Sequence, residues 1–245
     1  MTENAILYLY MYKKGVTPVS ATKKGRACVL FDLDGTLTDP AEGIIGGVVY
    51  AMQKAGVPIP SRAVLESFIG PPLVDQYKAV CGVDDATAYQ MLGWYRDYFD
   101  PKGMLENKAY DGIVSLCAAL KEAGAVVAMA TSKPEIYAIK ILEHFGLAPY
   151  FDYMCGSTMD ESRVKKADVI AYALAQMGVT DADRVVMVGD RCYDVEGAAC
   201  HQIPCVGVLY GYGSREELEN AGAAAVVEDV PALHRWLIHF VNESD

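Results

Sequence analysis

From about Tyr110 onward, short apolar runs alternate with helical patterns, and this alternation restricts the fold more than any other feature of the chain. Ile113 to Ala123 carries an apolar stripe at helical spacing and stops at Gly124, a residue type that closes helices. Val126-Val127-Ala128-Met129-Ala130 follows, a strand with no polar side to turn toward water. Helices are then predicted over Pro134–Phe145, Ala167–Met177, Val195–Cys200, Arg215–Asn220 and Ala232–Val241. Between them fall strands at Phe151–Cys155, Arg184–Val188, Cys205–Val208 and Ala224–Val227. Units of this length in alternation predict an α/β fold, a Rossmann-like parallel sheet with helices on both faces.

In such sheets ligands bind beyond the carboxyl ends of the strands, so chemically useful residues belong there. Ala27-Cys28-Val29-Leu30-Phe31 reads as a further buried strand, and it runs straight into Asp32-Leu33-Asp34-Gly35-Thr36-Leu37-Thr38-Asp39. Thr131 and Ser132 follow the next strand, and Gly189-Asp190 a later one. Two carboxylates at the end of a buried strand repel each other and lose hydration, and a hard cation with oxygen ligands is the usual compensation. Asp-x-Asp-Gly alone also fits a solvated turn.

Residues 40–104 interrupt the alternation. Asp39-Pro40-Ala41-Glu42 has the order of a helix start, with a capping Asp, proline at the first position and Glu at the third. Helical patterns continue around Ile44–Ala55, Ala63–Phe68, Val74–Val80 and Ala86–Phe99 without a convincing strand. Trp94, Tyr95, Tyr98 and Phe99 lie at helical spacing and read as packing within this unit. The expected organisation is an N-terminal extension (1–25), a sheet-forming core (26–39 and 105–245) and a small inserted helical unit (40–104), hinged near Asp39 and Lys102-Gly103. The extension is read as non-catalytic, as either an extra strand or a disordered arm.

A net charge of −11 argues against a nucleic-acid partner, which needs clustered Lys and Arg. It permits a small phosphorylated metabolite, held where a metal, a lysine or helix N-termini concentrate positive charge. Ile6 to Tyr12 is apolar but too short to cross a membrane, and it lacks the flanks of a signal peptide. Seven scattered cysteines without a Cys-x-x-Cys suggest neither zinc nor a disulfide framework, and the cytoplasm is the expected setting. The oligomeric state is not legible.

Taken in order, the strand-end residues resemble the motifs of the haloacid dehalogenase-like superfamily, in particular its helical-cap phosphatases. Phe31-Asp32-Leu33-Asp34-Gly35-Thr36-Leu37 is similar to the first motif, and Ala130-Thr131-Ser132-Lys133-Pro134 to the second. The basic residue before Val169-Ile170 is similar to the third, and Gly189-Asp190-Arg191-Cys192-Tyr193-Asp194 to the fourth. The resemblance spans about residues 26–240. It implies Asp32 as nucleophile, forming an aspartyl-phosphate, and Asp34 as the acid and base for the leaving group and for water. It implies Mg²⁺ on the Asp32 carboxylate, the Asp34 main-chain carbonyl and Asp190, with Asp194 assisting directly or through water. Thr131 and Ser132 would bind the phosphate, and Lys166, chosen over Lys165 by its spacing to Val169-Ile170, would neutralise it. Helix amides near Pro134 could add donors to the anion.

Tyr110-Asp111-Gly112, where many relatives carry proline before the glycine, and Phe68-Ile69-Gly70-Pro71-Pro72-Leu73 are most similar to the phosphoglycolate phosphatase and 5′-nucleotidase-like branch. The function implied is Mg²⁺-dependent hydrolysis of a small phosphomonoester, phosphoglycolate-like or a nucleoside monophosphate. Ile69-Gly70-Pro71-Pro72 is the expected cap loop facing the site. The alternatives are a sugar-phosphate mutase, which shields the aspartyl-phosphate from water, and a non-catalytic protein that binds a phosphate ligand.

Overall fold

The computed structural model describes residues 25–179, 182 and 184–243, so all but Gly25 of the expected N-terminal extension lies outside it. The central strand, β1 (Cys28–Phe31), is fully buried. Its side chains alternate between two apolar cores, as a two-residue period requires: Val29 and Phe31 enter one, Cys28 and Leu30 the other. The same alternation runs through β4 (Val126–Pro134), β6 (Val185–Gly189) and β7 (Cys205–Val208). With β5 (Tyr153–Ser157) and β8 (Ala225–Val227), these strands form a six-stranded sheet in the order β5-β4-β1-β6-β7-β8. Every pairing in it is parallel.

Helices cover both faces because each strand presents apolar residues both ways. On one face pack α5 (Ile113–Glu122), α6 (Glu135–His144) and α10 (Val230–Asn242), contributing Leu116, Ile141 and Leu237 among others. On the other pack α7 (Lys166–Met177), α8 (Cys192–Ala199) and α9 (Arg215–Asn220), through Ile170, Ala198 and Leu218. Each such aliphatic side chain stabilises the fold by roughly 1.5–3 kcal/mol relative to exposure. The chain leaves β1 toward β4 and β5, then returns to β1's other side for β6, so the strand order reverses beside β1. That reversal opens the crevice in which α/β sheets bind ligands.

Between β1 and α5 the chain departs from the sheet. A two-stranded antiparallel ribbon, β2 (Thr38–Asp39) with β3 (Lys108–Ala109), pairs Thr38 with Ala109 and Asp39 with Lys108. Four helices lie between these strands: α1 (Ala41–Ala55), α2 (Arg62–Glu66), α3 (Leu73–Cys81) and α4 (Asp85–Phe99). Segments as short as β2 and β3 carry no period that a sequence could display, and the ribbon was not anticipated.

Several boundaries move from their expected places. Asp39 does not cap α1; Pro40 holds the N-cap position, and the Asp39 carboxylate accepts from Ala41 N at 3.1 Å. Strand β4 continues past Ala130 to Pro134 with a register irregularity against β5, so α6 begins at Glu135, one residue after Pro134. Helix α8 begins at Cys192 rather than Val195, which places Asp194 in its first turn. Among the described residues no helix is long and apolar enough to cross a membrane.

Candidate active site

The ends of β1, β4 and β6 and the start of α7 converge on one buried cluster. Asp32 is the first residue after β1, and its backbone N–H donates to Val188 O at 2.9 Å, which locks the loop to the neighbouring strand. Gly35, at φ +81°, makes the turn that follows; a Cβ there would lie 2.2 Å from Asp190 Oδ2. Asp190 is buried at the end of β6, where its Oδ2 accepts from Tyr212 N at 2.8 Å and Thr36 Oγ1 lies 3.5 Å from its Oδ1. Gly213 permits that approach, since a Cβ on it would stand 1.9 Å from Asp190 O. Asp194, on the first turn of α8, accepts from Arg191 N at 3.1 Å, so its carboxylate satisfies the backbone N–H of the N-cap residue.

Asp32, Asp190 and Asp194 each offer a carboxylate oxygen within 4.8 Å of the others, and all three are buried. The Oδ1 atoms of Asp32 and Asp194 are buried, and each lies 2.8 Å from Lys166 Nζ, which also donates to Ala130 O at 3.2 Å. Burial works against the Lys166 charge, but Asp194 and Asp32 outweigh it and hold the ammonium above the ordinary lysine range. Burial pushes the Asp194 carboxyl up to about 6, with Lys166 opposing and Asp32 adding. Burial, reinforced by Asp194 and Asp32, also holds the Asp190 carboxyl well above the usual carboxylate range. Three buried acids facing a single lysine leave excess negative charge, and their oxygen-only donor set suits a hard divalent cation.

Asp34 belongs to a separate arrangement. Its Oδ2 lies 2.6 Å from Lys133 Nζ, while its buried Oδ1 has no hydrogen-bond partner among the described residues. Burial raises its carboxyl above the usual range, and Lys133 opposes the rise. Thr131 is buried at the end of the regular part of β4, its Oγ1 accepting from Lys133 N at 3.2 Å. Ser132 is half-buried beside it.

Asp32, Asp34, Thr131, Ser132, Lys166 and Asp194 all line a cavity of about 430 Å³ between the sheet ends and the four inserted helices. Phe68, Gly70, Pro71, Pro72, Tyr95 and Phe99 close it from the helical side. The structure thus brings the Gly70-Pro71-Pro72 loop to the cavity, where the Ile69 carbonyl accepts from Arg191 Nη1 at 2.9 Å. Phe99 does more than pack within its own unit. Its ring meets Tyr137 of α6 edge-on and lies under the Lys133 ammonium at 4.8 Å.

Lys133, Arg191 and Tyr212 escaped the sequence reading as participants. Lys133 and Arg191 stood inside quoted motifs, but a long side chain two bonds from a motif residue can point anywhere. Tyr212 acts through its main chain, and Tyr210-Gly211-Tyr212-Gly213 after β7 is the signal that the strand-end rule could have used.

The model of the haloacid dehalogenase-like hydrolase family matches residues 29–208. The 5′-nucleotidase of Pseudomonas aeruginosa is 40% identical over 209 residues, 85% of this chain and 94% of that protein. Tyrosine-protein kinase PtkA of Mycobacterium tuberculosis is also 40% identical, over 81% of this chain and 67% of its own length. A phosphoglycolate phosphatase of Rhodospirillum rubrum is 32% identical, over 85% of this chain and 90% of its own. Among solved structures, a predicted phosphatase from Clostridium acetobutylicum superposes with a TM-score of 0.84 at 46% identity, covering 87% of this chain and 99% of that one.

Proposed function

The chain belongs to the haloacid dehalogenase-like hydrolase family and is a phosphatase, and from that premise we propose that it hydrolyses a small phosphomonoester through an aspartyl-phosphate on Asp32, with Mg²⁺ as cofactor. The substrate class is a phosphoglycolate-like acid or a nucleoside monophosphate, turned over in the cytoplasm, a setting that suits seven cysteines of which none is disulfide-bonded.

The observation that carries the reading is the placement of two neighbouring acids in different surroundings. Asp32 lies 2.8 Å from the Lys166 ammonium and beside Asp190 and Asp194, a placement that suits a nucleophile. Asp34 sits against Lys133 with one buried oxygen unpartnered, which suits proton transfer at the bridging oxygen of the ester. Asp32, Asp190 and Asp194, with the Asp34 carbonyl, would hold Mg²⁺, whose charge lets an anionic phosphate approach an anionic nucleophile. Lys166 would neutralise the transferring group, and Thr131 and Ser132 would orient its oxygens. The helical unit of residues 40–104 would act as the cap, excluding water and selecting the leaving group.

Phosphate release from a panel of esters, measured with Mg²⁺ and again with a chelator, tests this reading. Phosphoglycolate, nucleoside monophosphates, sugar phosphates and an aryl phosphate form the panel. The expected result is release that stops with chelation and differs among esters. No release from any ester would reject hydrolysis and turn attention to a mutase or a phosphate-binding role. The kinase name of one relative supplies a second reading, phosphoryl transfer from ATP to tyrosine, and labelled ATP with a tyrosine peptide distinguishes it.

A further inference from the structure

We infer that Lys133 is a positioning residue for the acid–base step, fixing Oδ1 of Asp34 as the atom that exchanges the proton. The inference rests on the hydrolase reading above. Lys133 Nζ stands 2.6 Å from Asp34 Oδ2, inside hydrogen-bond distance, so an ammonium N–H occupies that oxygen. A proton on the same oxygen would compete with that N–H for its lone-pair density, so the proton that the acid step requires is favoured on Oδ1, which is buried, has no hydrogen-bond partner among the described residues and belongs to a residue lining the cavity.

The lysine is held for this task from two sides. Its backbone N–H donates to Thr131 Oγ1 at 3.2 Å, and the irregular end of β4 sets its direction. Its ammonium rests on the ring of Phe99, the last residue of α4, at 4.8 Å. Phe99 belongs to the helical insertion, so the acid is fully oriented only when that unit lies over the sheet. In the first half-reaction a carboxylate oxygen of Asp32 forms a bond to phosphorus as the bond to the ester oxygen breaks. The Oδ1 proton of Asp34 passes to that oxygen and the alcohol leaves. In the second, water attacks the phosphorus, the bond to Asp32 breaks, phosphate leaves and the water proton returns to Oδ1.

Leaving-group dependence provides the test, read in kcat/KM because that ratio ends at departure of the alcohol. Lys133→Met should lower kcat/KM about 100-fold for an alkyl phosphate that wild type hydrolyses, the low end of what a positioned acid contributes. It should change dinitrophenyl phosphate, whose phenolate leaves unprotonated, by no more than about threefold. Equal loss on both esters would overturn the inference, since it would mean that Lys133 touches the phosphoryl group or supports the fold. Should the single variant leave Asp34 buried and fail to fold, Asp34→Asn/Lys133→Met removes both charges together. Compared with Asp34→Asn alone, it should lose no further activity on the alkyl ester, within about twofold, because a positioning residue has nothing left to position. A further loss overturns the assignment. If wild type releases no phosphate from any ester, the hydrolase reading itself has failed and the role of Lys133 falls with it.

Discussion

Asp32 and Asp34 are two residues apart, yet each has its own lysine: Lys166 meets the first and Lys133 the second. In the mechanism proposed above, environment, and not residue type, separates the nucleophile from the acid. Both acids were legible in the sequence, because a buried strand that ends in carboxylates is rare without a reason. Their lysines differed in legibility. Lys166 was chosen over Lys165 only by motif spacing, and the structure shows its amine within 2.8 Å of Asp32 and Asp194. Lys133 gave no sign of its partner, which lies 99 residues away in the chain. Asp32→Asn is expected to lower kcat by about four orders of magnitude or more while the circular dichroism spectrum stays native. Lys166 retains Asp194, so no buried charge is stranded. Retained turnover would remove Asp32 as nucleophile.

At the scale of elements, the sheet strands were readable and the joints were not. Along β1, β6, β7 and β4 as far as Ala130 the strands are apolar because both faces are covered, and that signal is local. The extension of β4 to Pro134 depends on its pairing with β5, and the start of α8 at Cys192 is held by Glu217 of α9, which accepts from Cys192 N at 2.9 Å. Those shifts decide where Thr131, Ser132 and Asp194 point. The loop between α2 and α3 shows the same coupling. Gly70 has φ +106°, and a Cβ on it would stand 3.4 Å from the Arg191 side chain. Gly70→Val should therefore displace a wall of the cavity without touching Asp32 or Asp34. Relative kcat/KM among the natural esters of the panel is expected to shift by about tenfold, the order of effect that small changes in a binding pocket produce. Hydrolysis of a small aryl ester should shift less. A uniform loss across the panel would mean that the loop serves stability instead.

Across the whole molecule, the helical insertion and the sheet meet through a few long-range contacts. Arg191 Nη1 donates to Ile69 O at 2.9 Å, and Arg96 Nη2 to Met159 O at 3.1 Å. Glu217 steadies the first of these by accepting from Arg191 Nε at 2.8 Å. Hydrogen bonds from a charged group contribute about 1.5 kcal/mol or more each, so removing both should shift the equilibrium toward an open form by about a hundredfold. Arg96→Met/Arg191→Met is therefore expected to enlarge the radius of gyration in small-angle scattering and to speed hydrogen exchange in β2 and β3. An unchanged radius and unchanged exchange would show that apolar packing alone, such as Phe99 on Tyr137, keeps the two units together.

The sequence by itself determined the parallel sheet, the acids at its strand ends and the helical nature of the segment between β2 and β3. Each of these is written in local periodicity and in the polarity of adjacent residues. The tertiary structure alone decided that Lys133 meets Asp34, that Arg191 meets the Ile69 carbonyl and which oxygen of Asp34 is left without a partner among the described residues. Those outcomes rest on where long side chains end after elements about a hundred residues apart have packed, as for Lys133 with Asp34 or Arg191 with Ile69. Side-chain reach is a property of the packed whole, because a flexible chain of four or five bonds takes its direction from the neighbours that confine it.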